Sequence, residues 1–195
     1  MLNPKFKNPI LYALLAMVLV SLACGSSTPQ VNLPSEGATQ PVVAPADTPT
    51  EIPKPLGSAR SNPAPVGAEV VIDDMAIKIT EIVAPANDIV AAGNQFNTVP
   101  EAGNIYIFLN LSITCNKSTD ATCSILGFEF SVIDSGGITH DSEFFLAGVS
   151  GLFESGEFYG GATKTGYVAF IVPEGDTGLI MKYSNFISEA FFALQ

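Results

Sequence analysis

From Ile105 to Thr114 the chain reads IYIFLNLSIT, with Ile105, Ile107, Leu109, Leu111 and Ile113 at every second position. Side chains of a β-strand point alternately to opposite faces, so this run lays one unbroken apolar stripe on one side of a sheet. Tyr106 and Phe108 make part of the opposite face apolar as well, which predicts a central strand covered on both sides. Five further segments carry strand patterning: EVVI at 69–72, AIKITEIV at 76–83, FEFSVID at 128–134, GYVAFIVP at 166–173 and LIMKY at 179–183. Gly, Pro, Asn and Asp separate them. In FEFSVID the alternation predicts Phe128, Phe130 and Val132 on a dry face, with Glu129, Ser131 and Ile133 on a wet one. No segment in this region has a strong helical period; the stretch from Phe144 to Phe153 is ambiguous, with room for one helical turn. Several short strands divided by turn signals predict an all-β domain, an antiparallel β-sandwich, over residues 66–195.

The N-terminus has a different character. Lys5 and Lys7 precede an uncharged apolar run from Ile10 to Leu22, too short to span about 30 Å of hydrocarbon, and Ala23, Cys24 and Gly25 follow. This is the layout of a lipoprotein signal peptide over 1–23, with Cys24 as the lipidated residue. Ser21 occupies the place where an aliphatic residue is usual. Diacylglyceryl anchoring buries two acyl chains at about 0.8 kcal/mol per methylene, enough for stable attachment. The expected location is therefore the extracytoplasmic face of a membrane, with lipid as the membrane contact.

Residues 24–65 hold nine of the chain's fourteen prolines and no aromatic side chain. Such a composition cannot bury enough surface to offset its ordering entropy, so a disordered tether is expected. Its reach runs from about 35 Å as a coil to about 125 Å as polyproline II.

With Cys24 assigned to lipid, Cys115 and Cys123 remain, and an oxidising compartment makes them a disulfide pair. The net charge of −11 becomes −13 once the two signal lysines leave. So acidic a chain, with few lysines spread over the domain, does not suit nucleic acid.

The domain carries a recognisable pattern in PVGAEVVIDDMAIKITEI, VPEAGNIYIFLNLSITCN, FEFSVIDSGGITH and GEFYGGATKTGYVAFIVPEGDTGLIMKY. It resembles the extracellular immunoglobulin-like domain of unknown function found on bacterial lipoproteins, a family sometimes labelled "telomeric repeat-binding factor 2" and related in fold to a mycobacterial secreted immunoprotective antigen. The most specific matches are Gly103 before the long strand, the D-x-x-G turn at Asp134 to Gly137, and the glycine-rich run from Gly156 into Pro173. Gly160 stands where the family usually has proline, which implies a looser turn. The resemblance implies an immunoglobulin-like sandwich outside the cell and a role in surface binding, and it brings no catalytic motif.

Chemistry-bearing residues are sparse. His140 is the only histidine and follows a turn, without a nucleophile-elbow motif, so no catalytic residues, no enzyme activity and no cofactor are expected. Calcium is the more serious possibility, through Asp134, Asp141 and Glu143 in the DSGGITHDSE segment or through Asp73-Asp74. Neither follows an EF-hand pattern, and both read better as hairpin turns. Phe144, Phe145, Phe153, Phe158 and Tyr159 form an aromatic group suited to an exposed patch or to core packing. The expected function is a contact module for an unknown surface protein or glycan, with a ligand- or calcium-responsive accessory subunit and a structural envelope protein as alternatives.

Overall fold

The computed structural model describes residues 54–195, so the signal peptide, Cys24 and most of the expected tether lie outside the described residues. Ten strands form: β1 (Glu69–Ile72), β2 (Met75–Val83), β3 (Asn104–Cys115), β4 (Thr122–Ile125), β5 (Phe130–Ile133), β6 (Thr139–Glu143), β7 (Gly156–Tyr159), β8 (Thr163–Pro173), β9 (Ile180–Ser184) and β10 (Glu189–Ala193). One short helix, α1 (Asn87–Gly93), lies between β2 and β3. All the strand pairings are antiparallel. The principal order is β1-β2-β3-β8-β6-β5-β9-β10, with β4 and β7 as a separate ribbon. Strand β6 pairs with β5 through Ser131–Asp141 and with β8 through Ser142–Phe170, so it turns the corner between the two layers of the β-sandwich.

The alternation in β3 is realised as expected. Ile107, Leu109, Leu111, Ile113 and Cys115 enter the inter-sheet core, meeting Ile77 and Ile79 of β2, Phe170 and Val172 of β8, Phe130 and Val132 of β5, and Met181 and Tyr183 of β9. Each fully buried aliphatic or aromatic side chain contributes about 1.5–3 kcal/mol of transfer free energy, so this cluster dominates stability. Tyr106 and Phe108 face the other way into a second cluster with Ala86, Val90, Leu146 and Ala169. Farther along that outer face stand Asn110, Ser112 and Thr114. The stripe is thus apolar only where α1 and the 144–152 loop cover it.

Several local expectations need correction. Strand β5 is Phe130–Ile133, between β6 and β9 in the sheet, and all four of its residues are buried, Ser131 and Ile133 included. Its wet face does not exist. Phe128 belongs to a 3-10 turn at Gly127–Glu129 and is exposed. The ambiguous 144–153 stretch holds one turn at 147–148, where the Val149 N–H donates to the Leu146 carbonyl, and no helix.

The folded unit also starts before residue 66. Ala64 is fully buried and bridges Phe192; its N–H donates to the Phe191 carbonyl, and its own carbonyl accepts from Ala193. The Phe191 N–H donates in turn to Gly57. Residues 57–64 therefore occupy the open edge of β10, where unpaired backbone groups would otherwise invite another strand.

The hairpin turns follow from residue chemistry. Asp73 and Asp74 both take positive φ, at 50° and 59°, as a two-residue β1–β2 connection requires. The Asp73 carboxylate accepts from the Asn185 side-chain amide and the Ser188 hydroxyl, bracing the β9–β10 turn. A disulfide joins Cys115 to Cys123 across a Cα separation of 5.7 Å. It closes the 116–122 loop, against which Gly160 packs so tightly that a Cβ there would come within 2.2 Å of the Lys117 and Ser118 carbonyl oxygens. Gly160 therefore answers to close backbone approach and does not loosen the turn.

Candidate functional site

The connection from Ala84 to Gly103 is long for a β-sandwich loop, and connections of that length are where function tends to reside. Its first part is sewn to the sheet. The Ala86 N–H donates to the Tyr106 carbonyl at 2.8 Å, and the Asn87 side-chain oxygen accepts from the Tyr106 N–H at 2.7 Å. These bonds lay α1 over the outer face of β3, with Val90 buried against Tyr106 and Phe108. At the helix end, Gly93 meets Gly148, whose Cβ, had it one, would sit 2.1 Å from the Gly93 carbonyl oxygen; its φ of 71° independently favours glycine.

The second part of the loop is pinned by Asn97. Its amide donates to the carbonyls of Val90 and Ala147, and its oxygen accepts from the Ala147 N–H. Tyr106 adds a hydroxyl bond to the Thr98 carbonyl at 3.0 Å. Residues 98–101 are thereby held as a ridge, with Phe96 85% and Val99 82% exposed beside and upon it.

A cleft lies on each side of this ridge. One, of about 330 Å³, runs between the ridge and α1 and is lined by Val90, Ala91, Val99, Pro100 and Tyr106, with Asn94 and Asp88 among its polar groups. The other, of about 430 Å³, lies between the ridge and β6 and presents Glu101, Asp141 and Glu143 together with His140 and Ile171. Strand alternation explains the second lining. Ser142 turns inward and donates its hydroxyl to the Gly127 carbonyl, so Asp141 and Glu143 on either side of it turn outward. No lysine or arginine lines either cleft. The Tyr106 hydroxyl is pushed above its ordinary pKa by burial and, secondarily, by the charge of Glu143.

The expected calcium set does not assemble. Asp134 is 5% exposed, and its carboxylate accepts from the Ile138 N–H at 2.8 Å while its other oxygen lies 3.0 Å from His140 Nε2. The bond to His140 and then the Ile138 N–H hold the Asp134 carboxyl below the usual carboxylate range. Asp134 thus serves the β5–β6 turn, whereas Asp141 and Glu143 belong to the cleft. Among the described residues no group of three or more His, Cys, Asp or Glu is placed to hold a metal ion. Asp73, the other acidic candidate, is committed to the turn brace described above.

The aromatic group divides as well. Phe158 is core and Phe153 packs edge-on to Phe130, whereas Phe144, which lies against Gly127, stays exposed together with Phe145 and Tyr159. A separate exposed pair, Phe186 and Ile187, forms the convex tip of the β9–β10 turn. No sequence motif singles out the ridge residues Phe96, Val99 and Glu101; the one local signal is a pair of large apolar side chains within the polar stretch NQFNTVPE.

Residues 64–191 match the model of a family described as "Domain of unknown function (DUF4352)". The chain belongs to this family. Its DUF4352 domain is similar in fold to the secreted protein MPT63 of Mycobacterium tuberculosis, at 12% identity and a TM-score of 0.51 over 67% of this chain and 97% of that one. The yjhA protein of Bacillus subtilis is similar over 68% and 99% of the two chains, at 11% identity and a TM-score of 0.51. A third, ycdA of Bacillus subtilis, named as a candidate lipoprotein, gives 12% identity and a TM-score of 0.50 over 64% of this chain but only 37% of its own length. No curated protein matches the chain. No helix of the described residues is long and apolar enough to cross a membrane.

Proposed function

We propose that this protein is an extracytoplasmic contact module, anchored to a membrane through lipid on Cys24, whose DUF4352 domain engages a partner protein through the 98–101 ridge and its flanking clefts. The observation that carries the reading is the ridge itself: two large apolar side chains held out to solvent by a loop whose backbone is fixed by Asn97 and Tyr106. Exposed apolar groups on a preorganised support are the ordinary composition of a recognition surface, since little ordering entropy remains to be lost on binding. The domain's net acidity favours basic partners and disfavours anionic ones. The lipoprotein-type N-terminus supports the same reading, as do a secreted protein and a candidate lipoprotein among the fold neighbours.

Photo-crosslinking in intact cells tests it. A photoreactive residue at Val99 is expected to capture a discrete protein adduct, whereas one at Val71, an exposed position on edge strand β1, is not. Equal capture at both positions, or none at Val99, would overturn the contact surface. Cys24→Ser is expected to move the protein out of the membrane fraction and to abolish palmitate labelling.

A further inference from the structure

We infer that the occupant of the ridge is an extended segment of a partner protein carrying a lysine or arginine near an apolar side chain. The cation enters the cleft of Glu101, Asp141 and Glu143, and the apolar side chain enters the cleft beside Val90 and Tyr106. The inference rests on the contact role proposed above and adds the chemistry of what is bound.

Three observations converge on this occupant. First, charge complementarity is one-sided. Three carboxylates share one cleft, and none of them forms an ion pair with a lysine or arginine among the described residues, where the pairs present are His140–Asp134 and Lys182–Glu189. An incoming cation meets carboxylates that no lysine or arginine of the described residues neutralises, and Ile171 and Pro100 give its aliphatic stem an apolar wall to lie along. Phosphate-bearing ligands meet the opposite field.

Second, the neighbouring cleft has a different chemistry. Ala91, Val99 and Pro100 line it over the buried Val90 and Tyr106, with asparagine and glutamine amides and the Asp88 carboxylate as its polar groups, as suits an aliphatic or aromatic side chain attached to a polypeptide backbone. Third, the clefts share the wall formed by Thr98, Val99 and Pro100. A small molecule would fill one cleft and leave Phe96 and Val99 in water. A chain crossing the ridge covers both and uses both clefts at once, which gains from linkage of two weak contacts.

The test uses the mature chain and capped synthetic peptides in which one arginine and one leucine are separated by zero to three glycines. A parallel set replaces arginine by citrulline, which keeps shape and loses charge. At least one arginine spacing is expected to bind, shifting the backbone amides of Val99, Glu101 and Asp141–Glu143. The citrulline counterpart is expected to bind at least tenfold more weakly, and binding is expected to weaken as sodium chloride rises. The triple variant Glu101→Gln, Asp141→Asn, Glu143→Gln is expected to lose at least tenfold in affinity with an unchanged melting midpoint, and Val99→Ser is expected to weaken binding independently of salt.

Failure of every spacing at millimolar peptide, citrulline binding equal to arginine, or shifts confined to another surface would each overturn the inference. If Val99 still captures a protein in cells while the arginine–leucine set fails, the occupant's chemistry is wrong and the contact surface stands. If Val99 captures nothing, the contact reading falls first.

Discussion

Strand β3 supplies both hydrophobic clusters of the domain, and the two are built on different principles. On its inner face Ile107, Leu109, Leu111 and Ile113 meet side chains that other strands present with the same two-residue period, so the packing is sheet against sheet. On its outer face Tyr106 and Phe108 are covered by Val90 of a seven-residue helix and by Leu146 of a loop, elements positioned through Asn87, Asn97 and a glycine-to-glycine contact. The inner cluster is large and held by regular ladders; the outer one is small and held by particular polar side chains. The first holds the fold together, and the second supports the exposed 98–101 ridge, whose local opening need not remove the core.

The largest expected effect lies in the inner cluster. Leu109→Ala removes a fully buried side chain from between two sheets and is expected to cost about 2–5 kcal/mol in urea unfolding. Val90→Ala in the outer cluster is expected to cost about 1–2 kcal/mol, with two fewer methyl groups buried. Equal costs would break the division between the clusters. Reduction of the Cys115–Cys123 bond comes next. It frees a short loop at the end of the inner sandwich and is expected to cost about 2–3 kcal/mol on the chain-entropy account, read as a lower melting midpoint with retained β-sheet circular dichroism.

Asn97→Ala sharpens the comparison at the outer layer. It deletes three hydrogen bonds and leaves the Ala147 N–H without its acceptor, an expected local cost of about 1–3 kcal/mol that would appear as faster amide exchange around residues 94–100, with β9 and β10 unaffected. The smallest effect on stability is expected for the Glu101, Asp141 and Glu143 triple variant, within about 0.5 kcal/mol, because these carboxylates take part in no ion pair or side-chain hydrogen bond among the described residues.

Two carboxylates in the turns give a second contrast, in pH. Asp134 has its folded pKa lowered by His140 and the Ile138 N–H, so its contribution is present above the unfolded value of about 3.9 and is lost as pH falls through the folded one. Asp134→Asn is therefore expected to lose less stability than the parent between pH 5 and pH 2. Glu129 is pushed the other way by burial, so its ionisation opposes folding once pH rises above its unfolded value of about 4.3. Glu129→Gln keeps an acceptor for the Leu126 N–H and is expected to gain stability relative to the parent near neutral pH, and not below pH 4. Melting curves across that range check both signs.

How much was legible follows the same division. The apolar stripe of β3 identified a central strand because one dry face imposes a period of two whatever the topology, and β2 and β8 were legible as strands without their place in the sheet. FEFSVID misled because period alone cannot tell that β5 is enclosed on both faces. Strands β4 (TCSI), β6 (THDSE), β7 (GEFY) and β10 (EAFFA) were missed, β6 for lack of apolar residues, β10 for lack of alternation, and β4 and β7 because four residues are too short to show a period. The helix NDIVAAG has a single buried anchor, Val90, too little for a helical period. Asp141 and Glu143 drew attention as acids, but their place in a cleft depends on Asn97 reaching Ala147, fifty residues along the chain, and no local pattern encodes that.

Native-state hydrogen exchange across β3, α1 and the 94–103 loop tests the division most directly. The expected result is that core amides of β3 such as Leu109 and Leu111 exchange only with global unfolding, while amides of 90–100 exchange through a local opening of lower free energy that Asn97→Ala lowers further. Identical opening free energies in both regions, falling together in the variant, would contradict it.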